Sequence, residues 1–369
     1  MINDSQVSDG PRFPHRGLLI DTSRHYLPKP IIQKMLTAME SNKMNVLHWH
    51  IVDDESFPYS SKLYPSLSAQ GAYNSGGFVY TDNDIKEIVE FARLRGIRVV
   101  PEFDTPGHTR SWGEGIPNLL TRCYTGSAPN GQLGPINPTD ENNYIILKRL
   151  FGEIIQLFPD SYLHLGGDEV EHTCWSSNPN IRDFMKTHNM TQISDLEDLH
   201  MRRMFDIVNE LNTSSVVWQE AFTRGVKLPK STLVQVWLGK ASNLLKMVTS
   251  AGYRALLSSC WYLDHFGNDL YGGGGDWKKF YRCDPLDFPG TEDQKRLVLG
   301  GEACMWGEYV DETNVLQRVW PRASAAAEKL WSDPGQDMDH VASRLEEHVC
   351  RMRRRGIPAQ PPNGPSFCA

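Results

Sequence analysis

The acidic residues, tryptophans and tyrosines of this 369-residue chain gather just after short apolar runs. The first such stretches are Asp21-Thr22-Ser23-Arg24-His25, His48-Trp49-His50 with Asp53-Asp54, Glu102-Phe103-Asp104 with His108, and His164-Leu165-Gly166-Gly167-Asp168-Glu169. Further on come Trp218-Gln219-Glu220, Trp237, Trp261-Tyr262-Leu263-Asp264, and Glu302 with Trp306-Gly307-Glu308. Indole and phenol faces stack on the apolar faces of sugar rings, and carboxylates hold hydroxyls. Carboxylates are also the acid, base and nucleophile of glycoside hydrolysis. One acidic residue in such a place reads as a helix N-cap or a rim ion pair. Recurrence at most of the runs does not. Ten tryptophans is a high count for this length, and a purely structural explanation would scatter them through the core.

Other chemistries are weighed on the same residues. His48 and His50 share one face of a strand at period two and could grip zinc. A hydrolytic metal site needs further strong ligands on later strands, and His164 and Gln219 supply them poorly. The histidines are expected instead to orient Asp53, Asp54 or Asp104, with no metal and no cofactor. A metal-dependent amidohydrolase is the competing enzyme class, and chelator sensitivity would separate it. The non-enzyme alternative is a lectin that keeps the aromatic groove, against which the intact Asp168-Glu169 pair argues.

These residues need a scaffold that brings strand ends together. Strands are expected at Gly17–Asp21, Asn45–Ile51, Ile97–Phe103, Tyr162–Gly166, Ser215–Gln219, Leu233–Leu238, Arg254–Ser259 and Leu297–Glu302. Several are rich in Val, Ile and Leu without strict alternation, as strands buried on both faces should be. Helical patterns lie between them at Lys29–Ser41, Asp82–Arg95, Glu141–Phe158, Leu196–Leu211, Ala241–Ala251 and Asn314–Trp331. Thr81-Asp82-Asn83 and Pro138-Thr139-Asp140 offer N-cap chemistry. Alternation implies a parallel sheet, and about eight strands imply an α/β fold of the (β/α)8 TIM-barrel type, whose sites lie at the strands' C-terminal ends. No GxGxxG follows the first strand. The Gly272–Gly275 run lacks a following Lys-Ser/Thr and reads as a flexible loop.

Composition narrows the classes. A net charge of −7 argues against nucleic acid. No run of 18 or more apolar residues marks a membrane span. Met1-Ile2-Asn3-Asp4-Ser5 lacks the pattern of a signal peptide, which leaves a leader already removed or a chain that begins within a longer protein. Seven cysteines without a CxxC suit disulfides better than metal. Sequons at Asn3, Asn189 and Asn212 lean toward a secretory compartment.

The runs HRGLLIDTSRHYLP, NVLHWHIVDDESFP, RGIRVVPEFDTPGH, HLGGDEV and GGEACMWGEYVD resemble family-20 glycoside hydrolases, β-N-acetylhexosaminidases of the animal lysosomal kind. The resemblance covers about Pro11 to Cys368. It implies a retaining, substrate-assisted reaction, an exception to the two-carboxylate scheme. By motif, Glu169 would be acid and base, and Asp168 would orient the substrate's acetamido group and stabilise an oxazolinium. Tyr262 would hold the acetamido carbonyl. Trp218, Trp237 and Trp306 would wall the pocket. Arg16, Asp264 and Glu308 would bind hydroxyls, with His50 and Trp261 also counted to the substrate site. His108 and Asp104 would form a support pair that tunes Glu169. Burial and like charge should raise one of the adjacent carboxyls, taken to be Glu169, while hydrogen bonds hold Asp168 ionised.

The resemblance further implies the disulfides Cys123–Cys174 and Cys350–Cys368. Cys260 and Cys283 flank the glycine-rich loop and are expected to pair, leaving Cys304 a buried thiol. It also implies a carbohydrate substrate, a homodimer or heterodimer, and a lysosomal or secreted location. Residues 1–14 read as a lead-in and 15–369 as the catalytic domain with a C-terminal helix and a disulfide-tied tail. Family members usually carry a small α/β domain before the barrel. The pair Asp264-His265 stands where the animal α subunit has Asn-Arg, which disfavours anionic sugars.

Overall fold

The computed structural model describes residues 6–265, 275–335, 337–364 and 367–368. The sequon at Asn3 and glycines 272–274 of the glycine run lie outside them. Eight parallel strands close into a barrel: β1 (His15–Asp21), β2 (Val46–Val52), β3 (Arg98–Phe103), β6 (Tyr162–His164), β7 (Ser214–Trp218), β8 (Leu233–Val236), β9 (Arg254–Leu257) and β10 (Val298–Met305). β1 closes it by pairing with β2 on one side and β10 on the other. The expected strands are all present. β6 is shorter than expected, although Leu165 N–H still bonds Val216 O and Trp218 N–H bonds Gly166 O beyond its end.

Period two sorts the side chains of each strand. On β2, Leu47, Trp49 and Ile51 face outward into the main apolar cluster, packed with Ile32, Met35 and Leu36 of the helix Lys29–Ser41. His48 and His50 face inward. The outer helices begin as the sequence suggests. Thr81 closes a capping box with Asp84 before Asp82–Arg93, and Asp140 accepts from Asn142 N–H before Glu141–Leu157.

Two features depart from the sequence reading. The helix expected over Asn314–Trp331 is broken into Val315–Val319 and Arg322–Trp331, because Pro321 cannot continue a helix from the preceding turn. An antiparallel hairpin, β4 (Leu120–Thr125) and β5 (Ala128–Ile136), inserts after β3. Most of β5 is exposed and carries Pro and Gly, so no apolar alternation announces it. Cys123–Cys174 ties the hairpin to the short helix Thr173–Ser177 beyond β6, Cys260–Cys283 links the residues flanking the glycine run, and Cys350–Cys368 ties the tail to the helix Met338–Arg354. Cys304 is free and buried.

The C-terminal bridge spans a sequence separation of 18. Replacing Cys350 and Cys368 by Ser should lower unfolding free energy by roughly 3 kcal/mol in the chain-entropy model. Urea titration checks this, and an unchanged midpoint would contradict it.

Candidate active site

The barrel interior is not an apolar plug. It holds a ladder of alternating imidazoles and carboxylates. His15 Nε2 contacts Glu302 at 2.6 Å, and Glu302 meets His48 Nδ1 at 2.8 Å. His48 Nε2 reaches Glu102 at 2.9 Å, and Glu102 meets His50 Nδ1 at 2.6 Å. His50 Nε2 reaches Asp53 at 2.8 Å, and the other oxygen of Asp53 meets His108 Nδ1 at 3.0 Å. Glu302, His48, Glu102, His50 and Asp53 are all buried.

Burial alone would push these imidazoles down, but the carboxylates outweigh it. Glu302 and Glu102 raise His48 to about 9. Glu102 and Asp53 raise His50. Asp53 raises His108 to about 9. Burial would likewise raise the acids, yet their imidazole partners hold Glu302, Glu102 and Asp53 below the usual carboxylate range. His48 and His50 therefore have both ring nitrogens engaged with carboxylates. His50 orients Asp53, one of the three acids expected.

The ladder ends at the loop after β6. Gly166 and Gly167 both have positive φ. A Cβ on Gly166 would stand 1.6 Å from Asp104 Oδ1. Only glycine lets Asp104 in, where it accepts the N–H of Gly167 at 2.9 Å. The loop then presents Asp168 and Glu169, and Glu169 itself has φ 47°. His108, at φ 56°, directs Nε2 at both, 3.8 Å from Asp168 and 3.7 Å from Glu169. Strained φ at two such residues fits a site over-determined by its surroundings.

These groups line a cavity of about 270 Å³ with Arg24, His50, Trp237, Tyr262, Asp264, Trp306 and Glu308. Trp237 stacks on Tyr262, centroids 5.7 Å apart, and Trp306 packs nearby. Trp218 lies beneath them, its indole N–H donated to Glu102 at 2.8 Å. Four buried atoms of this pocket, Asp104 Oδ2, His108 Nε2, Asp168 Oδ1 and Asp264 Oδ1, have no hydrogen-bond partner among the described residues. Buried polar atoms are almost always paired, so a ligand, a water or, for Asp104 and Asp168, a shared proton must satisfy these.

A family model for the catalytic domain of glycosyl hydrolase family 20 matches residues 13–334. The chain belongs to glycosyl hydrolase family 20. It is 54% identical to the human β-hexosaminidase subunit β over 98% of this chain and 64% of that protein. It is 51% identical to the rat subunit α, over 98% of this chain and 68% of that one. Among solved structures it is similar to a chitobiase of Flavobacterium johnsoniae, with TM-score 0.82, 32% identity, and 94% and 52% of the two chains covered. It is also similar to an exo β-N-acetylglucosaminidase of Vibrio harveyi in complex with N-acetylglucosamine, with TM-score 0.83, 26% identity, and 95% and 59% covered. The chain thus spans about two thirds of the curated relatives' length and little more than half of these structures.

Two expected site residues of this family 20 chain stand elsewhere. Arg16 is the second residue of β1, at the end of the barrel away from the pocket, where it donates to Lys43 O and Phe13 O. Arg24, beyond the C-terminal end of β1, lies in the pocket instead, bridging Asp21 and Asp53 at 3.0 and 2.8 Å. Trp261 is fully buried in the core, its indole N–H donated to Phe280 O, because Gly301 leaves room for its ring. His108 pairs with Asp53, and Asp104 belongs to the Asp168 side. Burial and Asp168 raise Asp104 well above the carboxylate range, so it stays protonated beside an acceptor. Burial and Asp168 also raise Glu220 to about 7. The Glu169 side chain is 58% exposed, so the burial expected of it is not present in the open pocket. Arg24, Asp53 and Glu220 were visible as strand-end residues, but nothing in their local sequence ranked them.

The ladder makes stability pH-dependent. Between about pH 6.5 and 9 the folded chain keeps protons on His48 and His108 that unfolded histidines have released. The folded state then binds more protons, so stability should fall as pH rises through that window. The depressed acids act in the opposite sense, losing their contribution as pH falls below about 4.5. The melting temperature should therefore fall as pH rises from about 6.5 to 9. Equal melting temperatures at pH 6 and 9 would contradict it. Glu302→Gln, which removes one partner of a buried ion pair, should cost about 3–5 kcal/mol at pH 6.

Proposed function

We propose that this chain is a retaining exo-β-N-acetylhexosaminidase. It removes terminal non-reducing GlcNAc or GalNAc from glycoconjugates or chito-oligosaccharides, and the substrate's acetamido group is the nucleophile. The observation that carries the reading is one imidazolium, His108, within 3.8 Å of both Asp168 and Glu169 in an aromatic-walled pocket. The solved relative from Vibrio harveyi holds N-acetylglucosamine, which agrees with the sugar assigned.

Glu169 stands at the exposed side of the pair, toward a departing aglycone. It protonates the glycosidic oxygen and then takes a proton from water as base. Asp168 lies deeper, with Oδ1 free to accept the acetamido N–H. Its charge opposes the positive charge that grows on the oxazolinium. Neutral Asp104 can donate a hydrogen bond to Asp168. His108 supports both carboxylates and is itself held by Asp53. Tyr262, Trp237 and Trp306 enclose the N-acetyl group and ring over the floor made by Trp218. Arg24, Asp264 and Glu308 take the hydroxyls. A lectin has no use for an imidazolium-supported acid.

Three disulfides suit an oxidising compartment, lysosomal or secreted. The relatives named as α and β subunits suggest a homodimer or heterodimer. Asp264, which accepts no hydrogen bond at Oδ1, is read as facing the 6-position. Neutral GlcNAc and GalNAc glycosides should turn over well and the 6-sulfate poorly. Equal rates would refute that role for Asp264.

The mechanism has its own test. Glu169→Gln should cost about 10²–10⁴-fold on poor leaving groups and less on activated aryl glycosides. Asp168→Asn should be severe on both. Thiazoline analogues of the cyclic intermediate should inhibit strongly, as mimics of a state the site binds tightly. Intact-mass analysis after a 2-fluoro glycoside should find no adduct. A stoichiometric adduct without thiazoline inhibition would overturn the reading.

A further inference from the structure

β8 ends at Val236, so the next backbone N–H groups leave the sheet. Gln219 Oε1 takes two of them, from Trp237 at 2.9 Å and Leu238 at 3.0 Å. The adjacent residue, Glu220, takes the indole N–H of the same tryptophan with both oxygens, at 2.9 and 3.1 Å. Both side chains are buried at the start of the helix Gln219–Thr223. Consecutive residues after β7 thus hold Trp237 by its backbone and by its ring. Among the described residues its ring also stacks on Tyr262 and meets Trp218 edge-on, contacts that are less directional than a hydrogen bond.

We propose that Gln219 and Glu220 form a clamp that sets the indole wall of the pocket, and that Glu220 is a positioning residue for the reaction through Trp237. This rests on the function proposed above, in which Trp237 encloses the acetamido group that must attack.

A buried carboxyl is a costly way to accept one N–H, so its retention needs a reason. Asp168 lies near Glu220 and disfavours a second anion there, while Arg224, one turn along the helix, favours it. Protonated, the carboxyl still offers a carbonyl oxygen to the indole. An apolar residue would leave a half-buried indole N–H without its protein acceptor and the ring without a stop. The nucleophile is part of the substrate, so an error in the wall becomes an error in the angle of attack. A misplacement of about 1 Å can cost roughly 10²-fold.

The test compares Glu220→Gln, Glu220→Ala and Trp237→Phe at pH 5, using an aryl N-acetylglucosaminide. Glu220→Gln keeps an acceptor of the same shape as the protonated acid and should stay within about threefold of wild type. Glu220→Ala should lower kcat by about 10–100-fold with KM within about threefold. In the Trp237→Phe background, which has no N–H to hold, Glu220→Ala should add less than about twofold. A Glu220→Ala enzyme with wild-type kcat, or one whose loss is undiminished in the Phe background, would overturn the clamp. The indole N–H band in resonance Raman, taken as the difference between wild type and Trp237→Phe, reads the bond without turnover. It should move to the weakly bonded position in Glu220→Ala, and an unmoved band would refute the proposal. If wild type does not hydrolyse the glycoside at all, the proposed function fails while the Raman result still decides the clamp.

Discussion

Everything at the mouth of this barrel depends on one buried carboxylate deeper inside it. Glu102 is fully buried and receives His48, His50 and the indole N–H of Trp218, with His164 at 3.2 Å. An isolated charge in that place would be prohibitively costly, and only full pairing makes it tolerable. The pairing has no slack. Each imidazole has two nitrogens, and the second nitrogen of His48 and of His50 must find its own acid. One anion therefore propagates order in both directions, down through His48 to Glu302 and up through His50 to Asp53. His164, pushed down by burial and by the neighbouring His48 cation, stays neutral and stacks on it at 4.5 Å.

The upward branch becomes function. Asp53 has one oxygen on His50 and the other on His108, and Arg24 also reaches it. The direction of the His108 ring is thus fixed from below, so the nitrogen that faces Asp168 and Glu169 is not free to turn away. The side branch fixes Trp218, on which Trp237 and Trp306 pack. Proton-handling groups and the aromatic enclosure are referenced to the same carboxylate, which keeps them in register with each other. A strand framework suits this better than loops would, because Glu102, His48, His50 and Trp218 are all strand residues.

The barrel was legible because its signals are local. Apolar runs bounded by polar strand ends, with amphipathic helices between, locate each element within a few residues. The pair Asp168-Glu169 stood at a strand end like the other acids, and the resemblance of HLGGDEV to family 20 singled it out. What local pattern could not supply is direction along the barrel axis and partner choice. Arg16 and Arg24 flank the same strand, and only the rule that parallel barrels build sites at C-terminal ends favours Arg24. Trp261 and Tyr262 are neighbours, yet alternation turns one into the core and the other into the pocket. Asp104 and Asp53 both follow inner strands near His108, and which one bonds it is decided by distance in three dimensions. The hairpin escaped notice because its second strand is mostly exposed and polar.

In the proposed reaction Glu169 need not be buried in advance. Glu169 is more than half exposed, while Asp168, His108 and Asp264 each hold an unpaired polar atom. A sugar entering this space would satisfy those atoms and close water away from Glu169 at once. Before that, water can solvate the acid. Afterwards a protonated Glu169 is favoured over a charged one, because desolvation penalises the anion. Asp168 meets the opposite fate: it gains an N–H donor, and the positive charge forming beside it rewards its ionisation. The two adjacent carboxyls already differ in depth, one buried and one exposed, and binding would widen that difference. Their division of labour can be imposed by the substrate, which buries one and supplies a partner to the other, so that binding itself separates acid from anion.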